Sequence, residues 1–285
     1  MQRNRANAAR SDAQELRSTS AMLDIDFAEI SDCGPVRPHN EDFVGHSLPS
    51  NPEQARSRGW VFTLADGVGG QDRGEVASQL TVETVLAECA KAAPGENHSV
   101  LLSRAIQAAN TKVYEAAHGG MASTVVALSL RFDRATIAHV GDSRCYLIRH
   151  GRPHLLTRDH TVINEQVRLG IFTGQEAQKA LARNVLSRSI GVNMFVAAEV
   201  SEHNVRPGDL LLLCSDGLHG AVSDKEIVRI AASGANPGTN LKDAAQQLIT
   251  IANQSDGGDN VSVQLIRVRN VEAVGMYRGR PYRLH

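Results

Sequence analysis

Aromatic side chains make up only 4% of this 285-residue sequence, too few to suggest a platform on which nucleobases could stack. Net charge is almost absent: 31 Asp and Glu against 30 Lys and Arg leave −1, so no global field would hold nucleic acid or an anionic membrane. Apolar runs are short. Leu210–Cys214 holds five such residues, against the roughly 20 needed to span a bilayer. No CxxC pair occurs among Cys33, Cys89, Cys145 and Cys214. Their wide spacing suits neither a zinc knuckle nor a disulfide framework, and reduced, mostly buried thiols are expected. Residues 1–20 contain four arginines but no apolar stretch, which excludes a secretory signal, and Asp12 and Glu15 argue against a transit peptide. Internal repeats and low-complexity linkers are also missing. The expectation is therefore a soluble, cytoplasmic protein that binds neither nucleic acid nor membrane.

What is present is an ordinary globular balance, 42% apolar and 21% charged, in a chain long enough to bury a large core. Leu23, Ile25 and Phe27 alternate with aspartates as in a half-buried strand, and Trp60–Ala65 is a short apolar run ending at Asp66. Val82, Val85, Leu86 and Cys89 follow helical spacing, as do Leu101, Leu102, Ala105, Ile106, Ala109 and Val113; the two helices should pack as a pair. Strands are expected over 124–130, 135–140, 144–148 and 154–157, joined by short turns. An irregular helical stretch, 162–182, is broken by Gly170 and Gly174. Strands over 196–205 and 209–214 follow, then two helices and a last strand over 261–268. This order lacks the βαβα alternation of a parallel sheet and fits antiparallel sheets packed together with helices outside, an α+β layered fold.

Acidic residues recur in one setting. Asp66 ends an apolar run and precedes Gly67; Asp142 follows Gly141; Asp216 ends a run and precedes Gly217; Asp259 opens the last strand; Glu41 and Asp42 open the strand Phe43–Ser47. One such aspartate reads as a turn or cap residue. Five sites at strand edges suggest convergence, and converged carboxylates would repel unless a cation neutralises them. An oxygen-only ligand set favours Mg2+ or Mn2+ over Zn2+, and two such ions could share a carboxylate and hold a water nucleophile. Arg37, four residues before Glu41, could grip a phosphate through two parallel hydrogen bonds, although alone it reads equally as a surface salt bridge.

The segments RPHNED (37–42), ADGVGG (65–70), STVVAL (123–128), VGDSR (140–144), LTRDH (156–160), LSRSIG (186–191), CSDGL (214–218) and GDNV (258–261), in this order, resemble the metal-dependent protein phosphatases of the PP2C (PPM) family, particularly the bacterial stand-alone members. The resemblance implies a four-layer αββα sandwich of two antiparallel sheets flanked by helix pairs. It implies a phosphatase domain over 23–269 with a flap at about 161–183, between a flexible tail (1–22) and a basic C-terminal tail (270–285). The implied activity is hydrolysis of phosphoserine and phosphothreonine by direct attack of a metal-bridging water, without a phosphoenzyme, at two Mn2+ or Mg2+ ions. Carried over by motif, Asp66 would bridge both ions and the Gly67 carbonyl would ligate one. Asp216 and Asp259 would hold one of the ions, and Asp142 would support a third, weaker site. Glu41 and Asp42 would act through water, and Arg37 would bind the substrate phosphate. Arg37, Asp66 and Asp216 are the expected catalytic residues. The partners implied are phosphoproteins modified by a serine/threonine kinase of the same cell, met by a monomer. Val68 stands where animal members carry a histidine thought to protonate the leaving group, which makes a water near Asp142, or Asp216 itself, the candidate acid.

Other readings are weaker. Arg149-His150-Gly151 matches a short histidine-phosphatase signature but sits between two apolar strands, as a hairpin turn would. His39 reads as a surface or supporting residue and His160 as a loop brace; Ser143 and Ser215 lack a nucleophile-elbow context. A silent, partner-binding relative would be expected to lack a metal carboxylate, whereas here the set is complete. A phosphatase of small phosphate esters differs only in substrate contacts that the flap sequence does not reveal.

Overall fold

The computed structural model of the chain describes residues 22–68, 73–117, 120–173, 176, 185–234, 240–272, 274–277 and 280–283. In chain order the strands are β1 (Asp24–Asp32), β2 (Asp42–Ser47), β3 (Trp60–Asp66), β4 (Val125–Arg131), β5 (Arg134–Val140), β6 (Arg144–Arg149), β7 (Arg152–Leu155), β8 (Glu199–Asn204), β9 (Leu210–Cys214), β10 (Val261–Asn270), β11 (Val274–Tyr277) and β12 (Arg280–Arg283). The helices are α1 (Pro52–Ser57), α2 (Gly74–Cys89), α3 (His98–Ala117), α4 (Val162–Arg168), α5 (Asp216–His219), α6 (Asp224–Ser233) and α7 (Leu241–Ser255).

Two five-stranded sheets, ordered β1-β10-β9-β6-β7 and β2-β3-β4-β5-β8, pair antiparallel throughout. Alternation along the strands divides the core into three layers. Phe62, Leu64, Leu128, Ile137, Leu211, Leu213 and Ile266 fill the space between the sheets. Val61, Val125, Ala127 and Ala138 pack outward on α2 and α3, and Leu210, Leu212, Val263 and Leu265 on α6 and α7. The run Leu210–Cys214 is continuously apolar because this inner strand is covered on both faces. The sandwich is thus the expected α+β, αββα architecture.

Several boundaries differ from the sequence reading. The strand expected over 154–157 is Arg152–Leu155, because the turn rather than the apolar pattern sets its register: Arg149 pairs with Arg152 across His150 and Gly151. Both turn residues have positive φ, +52° and +69°, the pattern of a type I′ hairpin. β8 and β9, linked through Pro207-Gly208, lie in different sheets, so this turn carries the chain across the sandwich. The segment 270–285, expected as a basic tail, contains the β11–β12 hairpin. Buried Val274 and the Arg56–Glu272 ion pair (3.4 Å) tie its start to the domain, an anchorage that the arginine-rich composition obscured. Gly174 and most of the expected flap beyond residue 173, like residues 1–21, lie outside the described residues; Gly170 follows α4 with φ +73°.

The turn geometry yields a test. His150→Asn places the residue type favoured at this position of a type I′ turn, so stability should hold or rise by up to about 1 kcal/mol, with no change in the phosphopeptide hydrolysis that the resemblance implies. Urea unfolding and a phosphopeptide assay check both; a large loss of turnover would return His150 to the chemistry.

Candidate active site

The strand register gathers the acidic residues at one edge of the sandwich. Asp42 opens β2 directly opposite Asp66, the last residue of β3. Asp142 follows the end of β5, Asp216 opens α5 just after β9, and Asp259 lies two residues before β10. Antiparallel pairing brings these strand starts and ends to the same side: Val125 faces Val140, and Val263 and Arg144 both face Cys214. The two Asp-Gly pairs need glycine because backbone crowds them. A Cβ on Gly67 would lie 2.4 Å from the Gly74 carbonyl oxygen, and one on Gly217 would lie 2.0 Å from that of Asn260.

Neutral side chains fix this edge. The Thr124 hydroxyl accepts from the Asp66 amide (3.0 Å) and bonds the Ser143 hydroxyl (2.7 Å), while Ser123 donates to the Asp66 carbonyl (2.9 Å). Ser215 donates to Asp42 Oδ2 (2.7 Å) and accepts from the Ser262 amide (3.0 Å), joining the two sheets. Buried Asn260 accepts from the Glu41 amide (2.8 Å) and donates to the carbonyls of Cys33 and His39, both at 2.9 Å, locking the RPHNED loop against β10. The sequence reading weighed Ser143 and Ser215 only as nucleophiles; they are braces. Asn260 and Ser123 stood in quoted motifs, but their partners are 219 and 57 residues away in sequence, beyond any local pattern.

The carboxyls pay for this convergence electrostatically. Burial raises Asp66 well above the usual range, with Asp42, Asp216, Asp142 and Asp259 adding repulsion. Burial and Asp216 push Asp142 up to about 8. Asp42 is pushed up to about 7, chiefly by burial, against the opposing hydrogen bonds of Ser262 and Ser215. Asp216 is pushed up to about 6 by burial and Asp259. Burial also raises Glu41, with Arg37 opposing it. Asp42 is 6% exposed, and its Oδ1 is buried with no hydrogen-bond partner. An orphaned carboxylate oxygen beside buried carboxyls that disfavour their charged form, Asp66, Asp142 and Asp216, fits a site for hard divalent cations.

Arg37 reaches this edge. Its Nε donates to the Gly258 carbonyl (3.0 Å) and its Nη2 pairs with Asp259 (3.0 Å); Nη1 makes no bond among the described residues. A groove of about 500 Å³ leads away from the edge, lined by Asp142, Asp216, His219 and Asp259 on one side and Ile163 and Val167 of α4 on the other. His219 was missed in the sequence because α5 is a single turn. It sits three residues after Asp216, and its Nε2 donates to the Asp142 carbonyl (3.0 Å). Burial pulls its pKa down to about 4, so the ring is neutral.

Val68, at the position of the animal histidine, bonds the Ala122 carbonyl through its amide (3.0 Å). His39 is exposed. His160 braces the loop before Asp142: its amide donates to the Gly141 carbonyl (2.9 Å) and its Nδ1 accepts from the Gly141 amide (3.2 Å). His160 stacks on His139 with centroids 4.7 Å apart and planes 12° apart, and Glu199 lies 3.3 Å from its Nε2. These three could each offer a ligand atom to an ion. Nearly parallel stacked planes do not aim two nitrogen lone pairs at one point, so the cluster as built serves as a hydrogen-bonded prop.

A two-sheet, helix-flanked sandwich with a carboxylate-lined edge and a phosphate-suited arginine defines a class of metal-dependent phosphate hydrolases. The family model "Protein phosphatase 2C" matches residues 29–261, and the chain belongs to that family. It is 34% identical to a putative protein phosphatase 2C-type of Streptococcus pyogenes serotype M6 over 83% of this chain and 94% of that one. The Mycobacterium tuberculosis serine/threonine phosphatase PstP/Ppp superposes with a TM-score of 0.74 at 31% identity, covering 87% of this chain and 100% of that chain. A structure of the PstP catalytic domain with two manganese ions gives a TM-score of 0.72 at 31% identity, over 87% and 99%. No helix among the described residues is long and apolar enough to cross a membrane.

The carboxyl shifts give a pH signature. Asp42, Asp142 and Asp216 have folded-state pKa values above the unfolded value of about 3.9. Their contribution to stability is therefore complete below about pH 4 and is lost as pH rises through about 6 to 8. In EDTA, the melting temperature should fall by several degrees between pH 5 and pH 8, and Mn2+ should recover most of that loss at pH 8. A melting temperature that rises with pH in EDTA would contradict the cluster electrostatics.

Proposed function

We propose that the chain is a protein serine/threonine phosphatase that hydrolyses phosphoserine and phosphothreonine by direct attack of a metal-bridging water at two Mn2+ or Mg2+ ions. The observation that carries this reading is the convergence of buried, mutually repelling carboxyls, with Asp42 Oδ1 unpartnered, in a member of the protein phosphatase 2C family. When bound, the ions would supply an acidified water and charge neutralisation at the phosphoryl oxygens.

The residues divide the work by position. At the junction of β3 and the loop toward α2, Asp66 would hold both ions and the Gly67 carbonyl one, while Asp216 and Asp259 would hold one of them. Asp142 would serve a third, weaker site, positioned from behind by His219 and His160. Glu41 and Asp42 would orient water, with Ser215 fixing one oxygen of Asp42 and leaving the other for that purpose. Arg37 would leave Asp259 for a substrate phosphate, a bidentate partner that matches its guanidinium. Ile163 and Val167 on α4 line the groove, which supports a role for this start of the expected flap in contacting the substrate polypeptide. The substrates are then phosphoproteins made by a serine/threonine kinase of the same cell, and the enzyme works as a monomer.

Two substitutions test the assignment. Asp66→Asn should abolish Mn2+-dependent hydrolysis of a phosphothreonine peptide, a loss of at least about a thousandfold, with circular dichroism unchanged; undiminished turnover would sink the dinuclear assignment. Arg37→Ala should raise KM by about tenfold or more while kcat falls less, and an unchanged KM would remove Arg37 from phosphate binding.

A further inference from the structure

The sandwich carries a second cavity, of about 840 Å³, at the opposite end of β3 and β4 from the active edge. Asp66 ends β3, whereas the cavity lies by the β4–β5 turn beyond Leu130, the partner of Trp60 at the start of β3. At about 3.3 Å per residue the two are roughly 20 Å apart. Pro52 of α1, Pro94 of the α2–α3 loop and Phe132 of the β4–β5 turn give it apolar walls, and Glu53, Arg56, Arg131 and Glu272 give it charge of both signs. Its size is that of a small-molecule site.

The charges are unequally answered. Arg56 pairs with buried Glu272 at 3.4 Å. The half-buried Arg131 guanidinium has neither a hydrogen bond nor an ion pair among the described residues; its one close contact is the face of Phe132, 5.4 Å from the ring centroid. Its other near neighbour, His98, is neutral and already bonded to the Ser129 hydroxyl and the Ser57 carbonyl. Burial pulls the Arg131 pKa below its usual range, with only the Coulombic pull of Glu202 opposing. A half-buried guanidinium to which no acid is bound keeps its donors open to an incoming anion.

The wall beside Arg131 is held against backbone preference. Phe132 is the first residue of the two-residue turn between β4 and β5, and its φ is +59°, whereas Asp133 is not in the positive-φ region. That is the pattern of a type II′ turn, whose first position ordinarily takes glycine, and a bulky residue there is an outlier. Phe132 is only 7% exposed and its ring lies under the guanidinium, so the strained conformation holds a mostly buried ring against the positive charge at the cavity wall.

We propose that this cavity binds a small organic anion: a carboxylate, sulfonate or phosphate head on Arg131, with a flat apolar body against Phe132 and the two prolines. The site is distinct from the active edge and does not depend on the phosphatase reading.

The test uses the full chain with Mn2+ and inorganic phosphate present, so that the active edge is occupied, and 2-naphthoate as the probe. Calorimetry should show binding at one site, with 2-naphthalenemethanol and inorganic sulfate each at least about tenfold weaker, because each lacks one half of the recognition. Arg131→Met should weaken naphthoate at least about tenfold, and Arg131→Lys less, while peptide turnover stays at the parent level. Phe132→Gly, which suits the +59° backbone but removes a buried ring, should melt below the parent, stay folded by circular dichroism and bind more weakly, which keeps the proposal testable should Arg131→Met fail to fold. Amide NMR shifts should centre on Arg131 and Phe132. No binding at millimolar naphthoate, equal affinity in Arg131→Met or Phe132→Gly, or shifts centred on Arg37 would overturn the proposal.

Discussion

The structure depends on holding like charges together. Asp42, Asp66, Asp142 and Asp216 occupy one edge, where burial and mutual repulsion push their protonation upward. Such a cluster persists only if the scaffold is stiffer than the repulsion. The scaffold here is two antiparallel sheets whose strand ends are registered by backbone pairing: Asp42 opposes Asp66 because every pair from Phe43↔Ala65 to Ser47↔Val61 fixes that register. Slipping this register by one residue would turn the strand's apolar face outward, so the inter-sheet core itself enforces the carboxylate geometry.

The braces are uncharged. Ser123, Thr124, Ser143, Ser215 and Asn260 bind backbone groups, one another or a single carboxylate oxygen. Charged partners would have neutralised the cluster and removed its appetite for cations. Hydroxyl and amide groups position the acids without consuming their charge. The cationic side chains nearby are largely committed elsewhere: Arg144 is bound bidentately by Asp159, at 2.9 and 2.7 Å. Arg37 is the exception, held by Asp259 alone among the acids and still with a free edge.

Much of this was legible because it rests on local pattern. Short apolar runs ending in Asp-Gly marked the strand ends at Asp66 and Asp216, and the period-2 and helical spacings placed the main strands and the α2–α3 and α6–α7 pairs. Less was legible where a turn or a distant partner decides. β7 is exposed along its length, so its bounds follow from the positive-φ turn His150-Gly151 rather than from hydrophobicity. α5 is too short to leave a period, which hid His219. The C-terminal hairpin was masked by arginines, although Val274 is buried. Arg131 and Phe132 read as a plain strand end and turn, because neither the missing counter-anion nor a positive φ leaves a trace in residue type.

The two ends of β3 and β4 therefore illustrate opposite solutions to buried charge. At the active edge, negative charge is concentrated, answered by Arg37 only at Asp259, and held by neutral braces on a rigid register. At the far end, Arg56 is answered by Glu272 while Arg131 is left to the face of a strained phenylalanine. A sequence selected for stability alone would pair Arg131 with a carboxylate and put glycine at the turn, just as it would replace one acid of the active edge with an amide. Departures of this kind are concentrated where a fold meets a ligand, since the missing partner is the one supplied by binding. By that reasoning the unpaired carboxylate oxygen of Asp42 and the unanswered guanidinium of Arg131 are the same kind of signal, of opposite sign, at opposite ends of the same strands.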